Sequence, residues 1–349
     1  MGKIKVGVSG INAVDNPGPG IGVARSLKED HELDVEIIGL AYDAMEPGIY
    51  MDWVVDKSFM MPYPSGGGEA LLERLLHIKE SYGLDHVIPN LDSELPFYIK
   101  YADQLRKHGI NTFLPPLSLF RLRGKDKLPE LAEQLGTQLP KTKVINSPGM
   151  LMEAIDEIGL PVMVKGCFYK AYRCHTKAQA AAHFHEMVAE WGYPVILQEV
   201  VTGDELNVIG LGDGEGNCLG LVGIKKIWIT ALGKMWTGVT VRNEPMLKAA
   251  ERFVRETKWR GPFELECMVD GDKIFLIEIN PRFPAWVYLA TGVGQNLPSR
   301  LLRTILKMPV PKSNDFPAGK LYIRYSYDHV TDMTPYQNAL IHGENPAGK

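Results

Sequence analysis

The stretch that most constrains the fold of this chain lies at 261–282 and reads GPFELECMVDGDKIFLIEINPR. Apolar and polar residues alternate on both sides of Asp270-Gly271-Asp272, which is the pattern of two strands joined by a tight turn. Glu266 lies near the end of the first strand, while Glu278 interrupts an apolar run and shares its face with Asn280. The sequence therefore predicts a β-hairpin with two carboxylates and a carboxamide on neighbouring strands.

This set of oxygen donors indicates a site for a hard cation. Carboxylate and amide oxygens suit Mg²⁺, whereas zinc sites are built mainly from Cys and His. Arg282 follows two residues after Asn280 and would add a positive charge beside the cluster. The alternative is a surface hairpin with solvated acids, but a strand with a buried pattern rarely carries Glu unless the charge has a partner.

The sequence E-I-N-P-R begins at Glu278 and ends the hairpin, and Glu266 lies twelve residues before Glu278. This arrangement closely resembles the metal-binding signature of the ATP-grasp enzymes. The resemblance implies that Glu266, Glu278 and Asn280 hold Mg²⁺, with Mn²⁺ as a substitute, at the phosphates of ATP. It also implies that Arg282 contacts phosphate or an acyl-phosphate intermediate.

Further segments match the nucleotide-binding parts of that family in the same order. Lys165 ends the apolar strand PVMVK, and residues 198–205 have the spacing Q-E-x-x-x-G-x-E of the adenine and ribose segment. The loop at 166–176 departs from the family because it is poor in glycine, which makes Lys170 and Arg173 candidates to hold phosphate by charge. The residues that the resemblance assigns to ATP are Lys127 (with Lys125 as its alternative), Lys165, Lys170, Glu199, Val201 and Glu205.

Two further cations are expected near the reacting groups. Arg242 ends a strand and would meet the substrate or the acyl phosphate, together with Arg282. Lys225 and Lys226 lie on opposite faces of their strand, and we assign the catalytic role to Lys225, which shares a face with Leu221 and Gly223.

The N-terminal part predicts a Rossmann-like α/β domain, because a short buried strand, a glycine-rich turn and a helix follow one another from Lys3 onward. The glycines at 18–22 do not fit GxGxxG, since position 23 is Val, which argues against a dehydrogenase. The acids at 90–94 follow a strand and either face a ligand or cap the helix predicted at 95–108.

The fold class predicted is α/β and α+β, with an N-terminal Rossmann-like pre-ATP-grasp domain before a two-subdomain ATP-grasp fold. The expected limits are 1–116 for the first domain, 117–194 and 195–310 for the two ATP-grasp subdomains, and 311–349 for a C-terminal strand and tail. In the last segment we expect one strand at 321–327 and a loose tail after Pro335.

The composition of the chain indicates where the protein is expected to be located and which partners it is not expected to bind. The 349 residues carry a formal net charge of -4, and no run of about 18 apolar residues occurs, so neither a nucleic-acid partner nor a membrane span is expected. The N-terminus lacks a signal-peptide profile and the four cysteines form no CxxC pair, so we expect a cytoplasmic protein with reduced thiols. A homodimer is an expected assembly, since family members are often dimers.

The function implied by the resemblance is an ADP-forming carboxylate–amine ligase that makes an amide or peptide bond through an acyl phosphate. Its partners would be a small-molecule carboxylate and an amine, with amino acids or a peptide among them. Two alternatives stay open, which are bicarbonate activation of the carbamoyl-phosphate synthetase or biotin carboxylase kind, and a non-catalytic ATP-binding sensor. Acceptor specificity is expected in the loops at 12–22, 42–50 and 283–295.

Overall fold

The computed structural model describes residues 3–12, 17–124, 127–166, 170–230, 233–311, 313–326 and 328–345. Within these ranges the strands are β1 (Ile4–Ser9), β2 (Val35–Ala41), β3 (Lys57–Met60), β4 (His86–Ile88), β5 (Thr142–Ile145), β6 (Val162–Lys165), β7 (Ala171–Cys174), β8 (Val195–Glu199), β9 (Asp204–Asp213), β10 (Cys218–Ile229), β11 (Met235–Thr240), β12 (Arg260–Asp270), β13 (Lys273–Asn280), β14 (Leu321–Ile323) and β15 (Glu344–Asn345).

The α-helices in the same ranges are α1 (Gly20–Lys28), α2 (Gly68–Tyr82), α3 (Leu95–Lys100), α4 (Ala102–Lys107), α5 (Leu117–Phe120), α6 (Leu128–Leu135), α7 (Leu151–Ile158), α8 (Lys177–Trp191), α9 (Glu244–Thr257), α10 (Tyr288–Gly292), α11 (Leu297–Ile305) and α12 (Thr334–His342). None of the helices in the described part of the chain is both long and apolar enough to cross a bilayer. The mixture of parallel and antiparallel sheets with helices confirms the predicted fold class.

The chain forms two compact units. The first comprises residues 1–124, 207–265 and 279–349, and the second comprises 125–206 and 266–278. Strands β9, β12 and β13 contain the positions where the chain passes from one unit to the other. Since both units are assembled from separated segments, the four linear domain limits given above stay a prediction.

The N-terminal sheet of the first unit has the strand order β15-β3-β2-β1-β4. Strand β1 runs parallel to β2 on one side and to β4 on the other, and β2 runs parallel to β3. The nearly continuous apolar runs of β1 and β2 suit strands that are covered on both faces. The carboxyl ends of these parallel strands therefore lie along one edge, which is where such sheets place ligands.

Two helices end at left-handed glycines, and one predicted helix is interrupted. Gly83 and Gly136 both adopt left-handed backbone conformations as C-caps, with φ values of 87° and 67°. The helix expected at 95–108 is instead α3 and α4, because Tyr101 leaves helical geometry with a ψ of 8°. Its ring packs on Phe97 with 5.0 Å between centroids, a contact that the sequence pattern does not reveal.

The C-terminal segment corrects the expectation of a loose tail. After Pro335 the chain continues in α12, and β15 then pairs antiparallel with β3. Gly343 O accepts hydrogen bonds from Met60 N at 2.8 Å and from the Arg74 guanidinium. These contacts cover the edge that β3 would otherwise leave unpaired, and a two-residue strand is too short to leave a periodic pattern in the sequence. The strand expected at 321–327 is shorter and corresponds to β14.

The second unit contains a sheet with the strand order β5-β8-β6-β7, in which all three pairings are antiparallel. Its core is formed by apolar side chains of these strands together with α7 and α8, including Val164, Leu197 and Phe184. At the start of α8 the Thr176 hydroxyl accepts a hydrogen bond from Gln179 N at 3.1 Å, which caps the helix.

The hairpin predicted at 261–282 is confirmed as β12 and β13, which are neighbours in a sheet ordered β13-β12-β9-β10-β11-β14. Phe263 on β12 is buried against Phe253 of α9, with 5.0 Å between ring centroids. Because side chains alternate along a strand, this packing turns Glu264 and Glu266 to the opposite face of β12.

Candidate active site

The buried carboxylate of Glu264 on β12 accepts hydrogen bonds from several polar side chains of the first unit. Its Oε1 accepts hydrogen bonds from Asn207 Nδ2 and from Trp286 Nε1, each at 2.9 Å. Its Oε2 accepts one from Asn280 Nδ2 at 3.1 Å. Burying a carboxyl group is costly unless its oxygens find donors, and these three N–H groups supply them.

Asn280 connects this carboxylate to Arg282. The Arg282 Nη2 donates to Asn280 Oδ1 at 3.3 Å, and its Nε donates to Asp92 Oδ2 at 2.7 Å. The other oxygen of Asp92 accepts from Arg123 Nη1 at 2.7 Å. We call the set that these bonds connect the polar network: Asn207, Glu264, Asn280, Arg282, Asp92 and Arg123.

The charge of Asp92 is set by its two arginine partners. Burial alone would raise the pKa of this carboxyl, but the guanidinium of Arg282, helped by Arg123, holds the pKa below its ordinary value. Asp92 therefore stays ionised through the neutral range and fixes the Arg282 side chain by a charge-assisted bond.

A second buried acid, Glu94, lies in the same unit near the carboxyl ends of β1 and β4. One oxygen accepts from the Ser9 hydroxyl and from the backbone N–H groups of Asn90 (2.8 Å) and Leu91 (3.0 Å), and the other accepts from the Tyr42 hydroxyl at 2.5 Å. Burial raises the pKa of Glu94 despite these donors. No side chain caps the start of α3, so the capping alternative for the acids at 90–94 is wrong.

Lys165 in the second unit ends β6, as the sequence predicts. Its Nζ donates to Gln198 Oε1 at 2.6 Å, across the antiparallel pairing of β6 with β8. The neighbouring side chains Val164 and Leu197 are buried in the core of that unit. A lysine at the end of a buried strand is thus held in a defined direction by the sheet itself.

Glu199 ends β8 and is engaged by Lys141. Its backbone N donates to Lys141 O at 2.8 Å, and its Oε2 accepts from Lys141 N at 3.0 Å. Gly203 follows in the linker with a φ of 139°, and a Cβ there would lie 2.3 Å from Val269 O, so only glycine fits. Val201 is half-buried in this linker, and Glu205 is the second residue of β9 and has an exposed side chain.

Lys170 and Lys127 are the other two lysines assigned to ATP, and both lie in the second unit. Lys170 is exposed, with Nζ 2.5 Å from Glu190 Oε2 and 3.7 Å from Glu186 Oε1 on α8. The hydrogen bond to Glu190 raises the pKa of Lys170. Lys127 directly precedes α6. Lys125 and residues 167–169 lie outside the described part of the chain.

Arg242 and Lys225 belong to the first unit. Arg242 lies two residues after the end of β11 and forms ion pairs with Asp315 at 2.9 Å and with Glu244 at 3.4 Å. Lys225 is half-buried on β10 opposite Val239 of β11. Twelve residues were predicted for the site. Among those in the first unit, a described contact joins Asn280 to Arg282. Arg242 instead pairs with Asp315 and Glu244, which are not in the polar network.

The two predicted metal-binding acids lie on the neighbouring strands β12 and β13. Glu266 is half-buried and Glu278 is exposed. Within the described ranges, no group of three or more His, Cys, Asp or Glu side chains could hold a metal ion. The predicted set differs from such a group because its third member is the carboxamide of Asn280, and its role as a metal site stays a prediction.

The sequence interpretation passed over the partners of these residues. It treated Glu264 only as part of the alternation, although Glu264 interrupts a buried strand just as Glu278 does. That same signal would have singled it out. Trp286 is buried, and its ring nitrogen donates to Glu264, so it belongs to the core of this site. No local pattern indicates Asn207 or the pairing of Asp92 with Arg282.

The sequence was compared with known protein families. Residues 133–285 match the ATP-grasp domain family. The chain carries an ATP-grasp domain. The matched range includes the β12–β13 hairpin and most of the residues that the sequence assigned to ATP, which agrees with the resemblance seen in the sequence.

The relatives of this chain include much larger proteins. It is 23% identical over 227 residues to the carbamoyl phosphate synthase large chain of Clostridium acetobutylicum, covering 58% of this chain and 21% of that one. It is 27% identical over 174 residues to the phosphoribosylamine–glycine ligase of Mycobacterium leprae, covering 43% and 40% of the two chains. The chain therefore spans between about a fifth and two fifths of the length of these relatives.

Solved structures confirm the fold. The biotin carboxylase domain of the Hydrogenobacter thermophilus 2-oxoglutarate carboxylase, in complex with MgADP, ADP and bicarbonate, superposes with a TM-score of 0.67 at 17% identity, covering 91% of this chain and 73% of that one. The N5-carboxyaminoimidazole ribonucleotide synthetase of Thermus thermophilus gives a TM-score of 0.66 at 17% identity, covering 90% and 81%. The likeness in fold thus extends beyond residues 133–285.

Proposed function

We propose that this protein is an ATP-dependent carboxylate–amine ligase that forms an amide or peptide bond and releases ADP and phosphate. The observation that carries the proposal is the Asn280–Arg282 pair, which lies at the end of the β12–β13 hairpin within the ATP-grasp domain and is held by Glu264 and Asp92. The names of the relatives support the reaction class, since carbamoyl phosphate synthase and phosphoribosylamine–glycine ligase both join carbon to nitrogen.

In the proposed reaction, an oxygen of the substrate carboxylate attacks the γ-phosphorus of ATP, and the bond from that phosphorus to ADP breaks. The amine nitrogen then attacks the acyl carbon, loses a proton and displaces phosphate. This chain supplies no covalent nucleophile in either step, so its contribution is positioning and electrostatic stabilisation. Arg282 would stabilise the phosphate and the developing oxyanion, with Arg242 and Lys225 as further cations.

The residues at the hairpin fit a magnesium ion. Glu266, Glu278 and Asn280 would bind a cation through oxygen. The NH₂ group of Asn280 is turned toward Glu264, so the oxygen of the amide is the end that would bind the cation. Bound Mg²⁺ would offset negative charge on the phosphoryl oxygens of ATP. Lys127, Lys165, Lys170, Glu199, Val201 and Glu205 are the proposed contacts to ATP itself.

The acceptor is proposed to be an amine of a small molecule or peptide. The name of the phosphoribosylamine–glycine ligase relative supports this part of the proposal, because it pairs an amine with a carboxylic acid. Cytoplasmic location and a homodimer remain expectations.

The test is release of ADP and phosphate from MgATP in the presence of pools of amino acids, other carboxylates and bicarbonate, with mass spectrometry of the products. Carboxylate-dependent ADP release together with a new amide mass supports the ligase. Release with bicarbonate alone supports the bicarbonate-activating alternative. Tight ATP binding without turnover in every pool supports a sensor.

The variant Glu278→Gln should reduce ligation by about 10²-fold or more, since it removes a charge that the metal needs next to the phosphates. Glu215→Gln is a matched control, because Glu215 is an exposed acid in the turn between β9 and β10. Ligation by Glu278→Gln at the rate of this control would refute the proposed site.

A further inference from the structure

We propose that Glu264 is a positioning residue for the metal site, because it fixes which end of the Asn280 carboxamide faces the cation. The inference rests on the proposed function, in which Asn280 is a metal ligand. In this role Glu264 does not touch the metal or ATP. It holds the NH₂ group of Asn280, so that the amide oxygen, which also accepts from Arg282, is the end that would bind the cation.

Both neighbours of Asn280 favour the same orientation of its amide. Glu264 Oε2 accepts from Asn280 Nδ2 at 3.1 Å, and Arg282 Nη2 donates to Asn280 Oδ1 at 3.3 Å. A carboxylate can only accept hydrogen bonds and a guanidinium can only donate them. A carboxamide rotated by 180° would place acceptor against acceptor at Glu264 and donor against donor at Arg282, so the rotated state is excluded.

Burial makes the orientation costly to change. Glu264, Asn280 and Arg282 are 4%, 5% and 9% exposed, so water has little access to replace a lost partner. In a site of low local dielectric, an unpaired polar group is costly and a paired one is held firmly. Outer partners that orient a metal ligand in this way commonly change metal affinity when they are removed.

The two carboxylate oxygens of Glu264 accept hydrogen bonds from different residues, so a substitution at Glu264 can test the positioning role. Oε1 accepts from two donors, Asn207 Nδ2 and Trp286 Nε1, whereas Oε2 accepts from Asn280 Nδ2. A glutamine at this position would keep its oxygen toward the two donors and present its NH₂ group to Asn280. Either orientation of the Asn280 amide would then leave one donor–donor contact, at the introduced glutamine or at Arg282, so the amide oxygen would no longer be fixed toward the cation.

The experiment measures Mn²⁺ affinity by electron paramagnetic resonance in the presence of saturating ADP, without any turnover. Glu264→Gln should raise the Mn²⁺ dissociation constant by about 10- to 100-fold. The double variant Glu264→Gln/Asn280→Asp should return it to within a few-fold of wild type, because the introduced carboxylate accepts from the glutamine NH₂ and from Arg282. This double variant also has the net charge of the wild-type chain.

Phe253→Leu serves as a control for general destabilisation, since Phe253 packs on Phe263 and Trp259 in the core and belongs to no polar contact of the site. It should lower thermal stability while leaving the Mn²⁺ affinity unchanged. An equal loss of affinity in this control would overturn the positioning role, because the effect would then follow stability alone.

The outcomes separate the two proposals. Wild-type protein that fails to bind Mn²⁺ with ADP refutes the proposed metal site and hence the function. Wild-type protein that binds Mn²⁺, with Glu264→Gln binding equally well, overturns the positioning role alone, as does a double variant that stays weak. Should Glu264→Gln fail to fold, the double variant decides, because only the positioning role predicts near-normal affinity for it.

Discussion

The polar network of the first unit and the Lys170 region of the second unit use charge in opposite ways. Arg282 is buried, and its Nε, Nη1 and Nη2 donate to Asp92, the Phe283 carbonyl and Asn280. Lys170 is exposed, and its ammonium pairs with Glu190 and Glu186 on the surface of α8. One cation is therefore fixed in place by the fold, whereas the other exchanges its partners at little cost in free energy.

On the proposed function, this difference separates a residue expected to stabilise the transition state from one expected to adjust to the ligand. A transition state is stabilised best by groups that need no reorganisation, and buried donors in a fixed fork meet that condition. A surface lysine held by two acids is suited to moving toward a phosphate when one arrives. The glycine-poor loop before Lys170 would then rely on that charge instead of backbone N–H groups.

The largest expected effect on activity comes from replacing Arg282, the cation that the fold holds in place. Arg282→Lys keeps the charge but loses the planar fork, so we expect kcat to fall by about 10²- to 10³-fold with a smaller change in the KM for ATP. The measurement is steady-state kinetics of ADP release. The matched control is Arg303→Lys, since Arg303 also pairs with an aspartate, Asp30, at 2.8 Å, but lies outside the polar network. Equal losses in both variants would contradict a special role for Arg282.

A smaller effect should appear in the pH dependence of stability. The pKa of Asp92 is lowered in the folded state, so its pairing stabilises the protein above the unfolded-state value of about 4 and is lost as pH falls through the lowered pKa. Asp92→Asn should therefore cost roughly 1 kcal/mol at pH 7, a modest amount because the side chain is 40% exposed. Its free energy of unfolding should fall less steeply than that of wild type below about pH 4.

Urea unfolding at a series of pH values measures this difference, with the same spectroscopic signal for both proteins. Parallel acid profiles for Asp92→Asn and wild type would mean that the Asp92–Arg282 pair contributes no pH-dependent stability, and the contrast with Lys170 would be weaker than proposed.

The smallest effects on the KM for ATP are expected from replacing Lys170 or its partner Glu190. Lys170→Gln should raise the KM for ATP by about threefold, and Glu190→Gln should lower it by a similar factor, because it frees the lysine for phosphate. Neither variant should change the thermal midpoint, since the groups are exposed. Kinetics at low and high salt provides the check, as screening should reduce both effects. Two variants that shift KM in the same direction would contradict the proposed exchange of partners.

Much of the site follows from local pattern. The alternation at 261–282 determined the hairpin and the common face of Glu278 and Asn280, and the glycines at 83 and 136 determined two helix ends. The order of the lysine, linker and hairpin segments was enough to predict the ATP-grasp fold. These features depend on neighbours a few residues apart, which is the range over which the period of a strand or helix can be read.

Tertiary structure alone decided the partners. Asp92 and Arg282 are 190 positions apart in sequence, and nothing near either residue indicates the other. The same holds for Asn207 with Glu264, and for β15 with β3, where two residues complete a sheet that began at the other end of the chain. The physical reason is that a buried charge must find donors wherever the fold brings them, and the sequence records the charge but not the neighbour.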